Sequence, residues 1–124
     1  MKITLAERES ELMQLLWEHG PSTVGEVHER LKDELAYTTV VTILQKLEKK
    51  GYVRHEEQGR LHRFMAVISR ESAQRSDIRN LAARLFKGSA ALLLTQVISD
   101  ANLSEEDLKR IRRLIDARHR GDKT

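Results

Sequence analysis

The chain has 124 residues, enough for one compact domain or for a small domain with an appendage, and a net charge of +3. It contains no cysteine, which excludes disulfides, zinc–thiolate sites and thiol chemistry. Its first residues are charged where a signal peptide needs an apolar run, and no apolar stretch reaches the roughly 20 residues that span a bilayer. We therefore expect a soluble, cytoplasmic protein that does not insert into membranes.

The total charge does not by itself indicate binding to nucleic acid. Residues 1–68 have a net charge of −1 and residues 69–124 a net charge of +4. Within residues 37–63, six Lys or Arg residues stand against three Asp or Glu residues. Only charges that face phosphates release counterions, so this local excess matters more than the total.

Two short helices are predicted in the first part of the chain. Thr4-x-x-Glu7 and Thr23-x-x-Glu26 match capping boxes, in which each side chain satisfies a free amide at a helix start. Apolar residues recur at helical spacing after the first box until Gly20-Pro21 ends the helix. The second helix is predicted to continue to about Leu31.

A third helix and a β-hairpin follow. The helix is predicted from about Tyr37 to Lys50, with Gly51 at its C-terminal end. Strand-like runs at residues 52–57 and 60–67 flank Gln58-Gly59 and predict the hairpin. We predict a mainly α fold with a small β-hairpin, a winged helix-turn-helix DNA-binding domain at residues 1–68. An unrelated small α+β domain is the alternative.

Residues 69–124 are predicted to form a helical dimerisation region. The pattern gives three short amphipathic helices, opened by Ser69 for the first and by Ser104-x-x-Asp107 for the last. The run Leu92–Leu94 is wider than one helical face needs, which favours pairing with a second copy over packing on the same chain. The predicted dimerisation residues are Ile78, Leu81, Leu85, Phe86, Leu92, Leu93, Leu94, Val97, Ile98, Leu108, Ile111, Leu114 and Ile115.

The outward face of the third helix is predicted to read DNA. On a helical wheel, the core face holds Val40, Ile43, Leu44 and Leu47. The opposite face is rich in Thr and poor in Glu; Thr and Gln can hydrogen-bond to base edges, and apolar methyls can contact thymine. The residues predicted to read bases are Thr38, Val41, Thr42 and Gln45. An ordinary solvated face is the alternative interpretation.

Residues around this face are predicted to contact the DNA backbone. Lysines cluster at the end of the third helix, and arginines flank the hairpin turn. Protection of a sheet edge is the alternative role for those arginines. Backbone amides at the start of the second helix can also meet a phosphate. The predicted backbone contacts are Ser22, Thr23, Tyr37, Thr39, Lys46, Lys49, Lys50, Arg60 and Arg63.

No motif indicates catalysis or a metal centre. The five histidines lack metal-ligand spacing; His55 and His62 can face each other across the hairpin, but no cysteine or acidic ligand cluster accompanies them. Neither G-x-S-x-G nor a glycine-rich phosphate loop occurs. We expect neither an enzyme nor a metal or cofactor site.

Three segments resemble the penicillinase repressor (BlaI/MecI) family: ESELMQLLW at residues 9–17, LAYTTVVTILQKLEKKGYV at 35–53 and GRLHRFMAVISRES at 59–72. The similarity extends from about residue 3 to 118 and implies a winged helix, a helical dimerisation region and a homodimer on palindromic promoter DNA. It also implies repression of β-lactam-resistance genes until a membrane metalloprotease signals and the repressor is cleaved. The family's cleavage site is an Asn-Phe bond, whereas the matching positions here are Gln96-Val97.

The sequence therefore predicts a homodimeric transcriptional repressor of β-lactam-resistance or related stress genes. Its expected partners are double-stranded operator DNA, a second copy of itself and a signalling protease. A winged-helix adaptor that binds other proteins and no DNA is the alternative.

Overall fold

The computed structural model describes residues 2–121, in which six helices and a three-stranded antiparallel sheet are found. The helices are α1 (Glu7–His19), α2 (Val24–Arg30), α3 (Tyr37–Lys49), α4 (Arg70–Leu85), α5 (Ala90–Asp100) and α6 (Glu105–His119). The strands are β1 (Ser22–Thr23), β2 (Val53–Gln58) and β3 (Leu61–Ala66), in the sheet order β1-β3-β2. The predicted winged-helix fold is confirmed. The chain divides into two compact units, one up to Asn80 and one from Leu81.

The core of the first unit fixes the orientation of α3. Val40, Leu44 and Leu47 are fully buried, and Ile43 packs partly against the same cluster. Burying one such side chain stabilises the fold by about 1.5–3 kcal/mol. Because these positions recur every three to four residues, their burial turns the opposite face of α3 outward. The rest of the cluster comes from α1, α2, the hairpin and the start of α4 and includes Leu12, Met13, Leu16, Val27, Val53, Phe64 and Ala73.

The start of α1 differs from the prediction. The helix has Ala6 at its N-cap, and Oε1 of Glu9 accepts a hydrogen bond from the Ala6 amide at 2.8 Å. The Thr4–Glu7 capping box is wrong because the amide of Thr4 donates instead to the hydroxyl of Tyr52 at 2.9 Å.

The other two predicted capping boxes are confirmed. Thr23 Oγ1 accepts from the Glu26 amide at 3.2 Å, and Glu26 Oε1 accepts from the Thr23 amide at 2.8 Å. Ser104 and Asp107 exchange the same two bonds at the start of α6. In each box the backbone hydrogen bond is the main reason that the pKa of the carboxyl group is lowered.

The hairpin forms where the sequence predicts it, and a third strand joins it. Strands β2 and β3 pair from Val53 with Ala66 to Gln58 with Leu61. Gly59 supplies a positive φ of 64° in the turn between them. Strand β1, which was not predicted, pairs with β3 and connects the loop before α2 to the wing, our name for the β2–β3 hairpin.

The first half of α4 packs on the first unit. Ala73 and Ser76 are buried, and Ser76 Oγ accepts a hydrogen bond from the Ile3 amide at 2.8 Å. Asn80 Nδ2 donates to the Ile3 carbonyl at 3.1 Å. Because of these contacts, the first compact unit extends beyond residue 68, to Asn80. Whether the DNA-binding and dimerisation functions divide at residue 68 stays a prediction.

The second unit contains the end of α4 together with α5 and α6. Ser89 caps α5, its Oγ accepting a hydrogen bond from the Leu92 amide at 3.1 Å. Along α5 and α6, which are described throughout, no side chain is buried. Within residues 2–121, no single helix is long and apolar enough to cross a membrane; only α4 and α5 together, as a bent pair, meet that length and composition.

Candidate DNA-binding surface

The residues predicted to read bases lie together on the outward face of α3. Thr38, Thr42 and Gln45 are exposed, and Val41 beside them is half-buried. Their spacing of three or four residues sets them on one stripe, away from the buried face of the helix. The structure therefore brings the four residues together. Their contacts with bases stay a prediction.

The hydroxyl of Thr42 already has an acceptor within α3. Its Oγ1 donates to the carbonyl oxygen of Thr38 at 3.0 Å. This bond uses the only hydroxyl proton and leaves a lone pair on Oγ1 and the methyl group available. Thr42 can therefore accept a hydrogen bond from a base amino group or contact a thymine methyl without losing the internal bond.

A groove runs between α3 and the wing. Its walls include Tyr37, Val41 and Gln45 from α3 and Arg60, Leu61 and His62 from the wing. Two predicted base readers, Val41 and Gln45, and two predicted backbone contacts, Tyr37 and Arg60, thus border the same groove. His62 was not predicted to take part. The period-two alternation of β3 puts it on the same side as the buried Phe64, and that signal could have identified it.

The two arginines of the wing differ in their surroundings. Arg60 is exposed in the turn, and among the described residues it has no hydrogen-bond or ion-pair partner. Arg63 donates from Nε to Gln58 Oε1 at 3.0 Å and from Nη1 to the Pro21 carbonyl at 3.2 Å. Its Nη1 also lies 3.5 Å from Glu26 Oε1. Arg63 holds the wing to the start of α2 and would have to leave these partners to reach a phosphate.

The lysines at the end of α3 differ in the same way. Lys46 and Lys49 are exposed, whereas Lys50 Nζ lies 2.8 Å from Oε1 of the buried Glu9 and 3.4 Å from the Thr4 carbonyl oxygen. Burial raises the pKa of Glu9, but the hydrogen bonds from Lys50 and the Ala6 amide, with the charges of Lys50 and Lys46, outweigh it and lower the pKa. A contact of Lys50 with DNA would require this ion pair to break.

The start of α2 is also occupied by contacts within the chain. Ser22 is 1% exposed; its Oγ donates to the Gly20 carbonyl at 2.8 Å and accepts from Arg30 Nη1 at 3.1 Å. The amide of Thr23 is bound by Glu26. Tyr37 and Thr39, in the first turn of α3, are exposed.

His55 and His62 stack across the hairpin as the sequence suggested. Their ring centroids are 4.6 Å apart and their planes differ by 11°. His55 Nδ1 lies 2.5 Å from Glu48 Oε2, and His62 Nε2 lies 3.7 Å from Glu57 Oε1. In the described part of the chain, no three His, Cys, Asp or Glu side chains are arranged to hold a metal ion.

The residues predicted for dimerisation keep much of their apolar surface exposed in the single chain. Leu85 is 65% exposed, Leu92 53% and Leu114 50%. Ile78, Leu94, Val97, Ile98, Leu108 and Ile115 are also exposed, and Leu81, Phe86, Leu93 and Ile111 are half-buried. Exposed apolar surface on this scale is typical of an interaction site.

Comparison with known sequences gives a family for this chain. Residues 5–117 match the family model described as penicillinase repressor. The transcriptional regulator BlaI of Mycobacterium tuberculosis is 43% identical over 70 residues, which cover 54% of this chain and 51% of that protein. The chain thus matches only about half the length of that relative. The penicillinase repressor of Bacillus licheniformis is 22% identical over 114 residues, covering 90% of this chain and 89% of that protein.

A solved structure gives the same answer for the fold. A MarR family protein from Bacillus stearothermophilus superposes with a TM-score of 0.51 at 19% identity, over 96% of this chain and 76% of that one. At that identity the likeness concerns the fold alone. The family model, by contrast, covers nearly the whole chain, and the chain therefore belongs to the penicillinase repressor family.

Proposed function

We propose that the protein is a transcriptional repressor that binds double-stranded operator DNA with α3 and the wing. The observation that carries the proposal is the groove in which Gln45 and Val41 of α3 lie opposite Arg60 of the wing. The major groove of B-DNA, about 12 Å wide, admits an α-helix, and a hairpin beside that helix can reach the flanking phosphates. Membership of a repressor family supports the same function.

We divide the predicted residues by role on the basis of their contacts within the chain. Thr38, Val41, Thr42 and Gln45 read bases, and Tyr37, Thr39, Lys46, Lys49 and Arg60 contact the DNA backbone. Ser22, Thr23, Lys50 and Arg63 already have partners in the domain, so we assign them to holding α2, α3 and the wing in position.

We infer further that the repressor acts as a homodimer on a palindromic operator. The exposed apolar side chains of α5 and α6, such as Leu92 and Leu114, support this inference because a second copy would cover them. Two recognition helices about 34–36 Å apart would reach successive major grooves on one side of the duplex. Linking two weakly binding units raises affinity through effective concentration.

A gel-shift titration of the protein with a duplex from its own promoter region tests the DNA-binding function. We expect Gln45→Ala to weaken specific binding by about 1–3 kcal/mol, because Gln45 borders the groove. Gln14→Ala is the matched control, an exposed glutamine on α1 outside the groove. Equal binding by both variants would mean that Gln45 makes no contact with bases, and absence of binding by the wild type would favour the adaptor alternative.

We also propose that the protein acts in the cytoplasm on β-lactam-resistance or related stress genes and that proteolysis releases it. Gln96 and Val97 lie on helix α5, so a cut between them would separate the end of α5 and all of α6 from the rest of the chain. Exposing cells to a β-lactam should then yield a fragment that ends at Gln96. An intact repressor in cells where the target gene is induced would contradict this route.

A further inference from the structure

We propose that His62 is a phosphate-contacting residue of the wing and that it makes this contact with a protonated imidazole, so that affinity for DNA rises as pH falls. The inference rests on the proposed DNA binding and adds a ligand contact to the same surface. No sequence pattern assigned His62 a role in binding.

The position of His62 gives it access to a DNA strand in the groove. Its side chain is 48% exposed and lies on the same groove wall as Arg60, with Gln45 on the facing wall. Arg60 has no partner among the described residues and is itself a proposed phosphate contact. A phosphate near the turn would therefore lie within reach of both side chains.

The neighbouring ring holds His62 in a defined orientation. His55 stacks on it at 4.6 Å, contacts Phe64 at 5.3 Å and is tied through Nδ1 to Glu48 at the end of α3. A side chain that is already ordered loses less conformational entropy when it binds a ligand. His55 thus acts as a positioning residue, and His62 makes the contact.

The charges around the stacked pair determine how protonation and binding are coupled. Glu48 of α3 faces His55, and Glu57 of β2 lies beside His62. A proton on His62 places a positive charge on the groove wall beside Arg60. A phosphate beside His62 supplies the compensating negative charge, so that binding of DNA takes up a proton.

The other titratable groups on the groove wall do not produce the same effect. They are Arg60 and Tyr37, and arginine and tyrosine side chains ordinarily titrate far above the range in which imidazoles do. Linked uptake of one proton changes affinity by up to about tenfold per pH unit. We expect the affinity to rise by about 3- to 10-fold per wing between about pH 8 and about pH 6.

Fluorescence anisotropy with a duplex from the protein's own promoter region tests this at two pH values, about 6 and about 8, and one fixed salt concentration. Wild type and His19→Gln, an exposed histidine at the end of α1, should show the same gain at the lower pH. His62→Gln should lose most of the gain, and His62→Lys, with a permanent charge, should bind tightly at both pH values. Far-UV circular dichroism checks that both variants are folded.

The outcomes separate the inference from the function on which it rests. If His62→Gln keeps the pH dependence of the wild type, the inference is wrong and DNA binding stands. If His62→Lys binds no better than His62→Gln at the higher pH, a contact through positive charge is likewise refuted. If the wild type does not bind at either pH, the proposed function itself fails.

Discussion

The ion pair between Lys50 and Glu9 is predicted to support folding and to make no contact with DNA. Lys50→Met keeps the apolar stem of the side chain and removes the ammonium group that lies 2.8 Å from Glu9 Oε1. Glu9 is only 4% exposed, and its Oε2 has no hydrogen-bond partner in the described structure. After the substitution, the Ala6 amide would be the remaining partner of a buried carboxylate.

The expected cost is about 2–3 kcal/mol in the free energy of unfolding. Removing one partner of a fully buried pair costs about 3–5 kcal/mol. The Lys50 side chain is 36% exposed, so solvent screens part of the interaction and the cost is smaller than for full burial.

The cost should also depend on pH. Because the pKa of Glu9 is lowered in the folded state, its stabilising effect is fully present above the ordinary value of 4.5 and is lost as pH falls through the folded value. The difference between wild type and Lys50→Met should therefore shrink in that acidic range.

Urea unfolding at one fixed protein concentration measures this cost, since the stability of a dimer depends on concentration. Lys49→Met is the matched control, because Lys49 is exposed and has no partner among the described residues; we expect a change within about 0.5 kcal/mol. Binding to DNA should show the reverse pattern. The salt dependence of the DNA affinity should be lower for Lys49→Met and unchanged for Lys50→Met. The reasoning would be refuted if Lys50→Met were as stable as the wild type and if its slope of log affinity against log salt were lowered by about 1.

Three further substitutions test other parts of the surface. Thr42→Ala should weaken binding to operator DNA by about 1–3 kcal/mol and should weaken binding to random DNA less. Equal losses of affinity for the two DNAs in competition assays would exclude base reading by Thr42. Lys49→Ala should lower the slope of log affinity against log salt by about 1 on any sequence, and an unchanged slope would mean that Lys49 touches no phosphate. Leu114→Glu should give a monomer by light scattering and weaken operator binding by about 100-fold or more, whereas Lys109→Glu should remain dimeric. An unchanged mass for Leu114→Glu would argue against this interface.

The periodic elements of the fold could be predicted from the sequence. Helix α3 could be predicted because its buried residues Val40, Leu44 and Leu47 follow the helical period. It begins at Tyr37 as predicted and ends at Lys49, one residue before the predicted end. Strand β1 has two residues, too few for any periodic signal, and forms through its pairing with β3. The Thr4–Glu7 motif failed because Tyr52, far along the chain, takes the Thr4 amide.

The candidate site could be predicted in outline and not in its contacts. The outward stripe around Thr42 follows from the helical wheel alone. The helical wheel does not show which lysine and arginine side chains are free to contact DNA, because Lys50 pairs with a residue 41 positions away and Arg63 with one 42 positions away. The expectation that the chain is not an enzyme is confirmed by its family, whose named members are regulators and repressors.

The central claim is that α3 and the wing form a sequence-specific DNA-binding surface. The most direct measurement is the ratio of the affinities of the full chain for its own promoter duplex and for a shuffled duplex of the same composition, at one salt concentration near 0.15 M. We predict a ratio of about 1,000 or more, lowered by Gln45→Ala and unchanged by Gln14→Ala. A ratio near 1 for the wild type would contradict the claim.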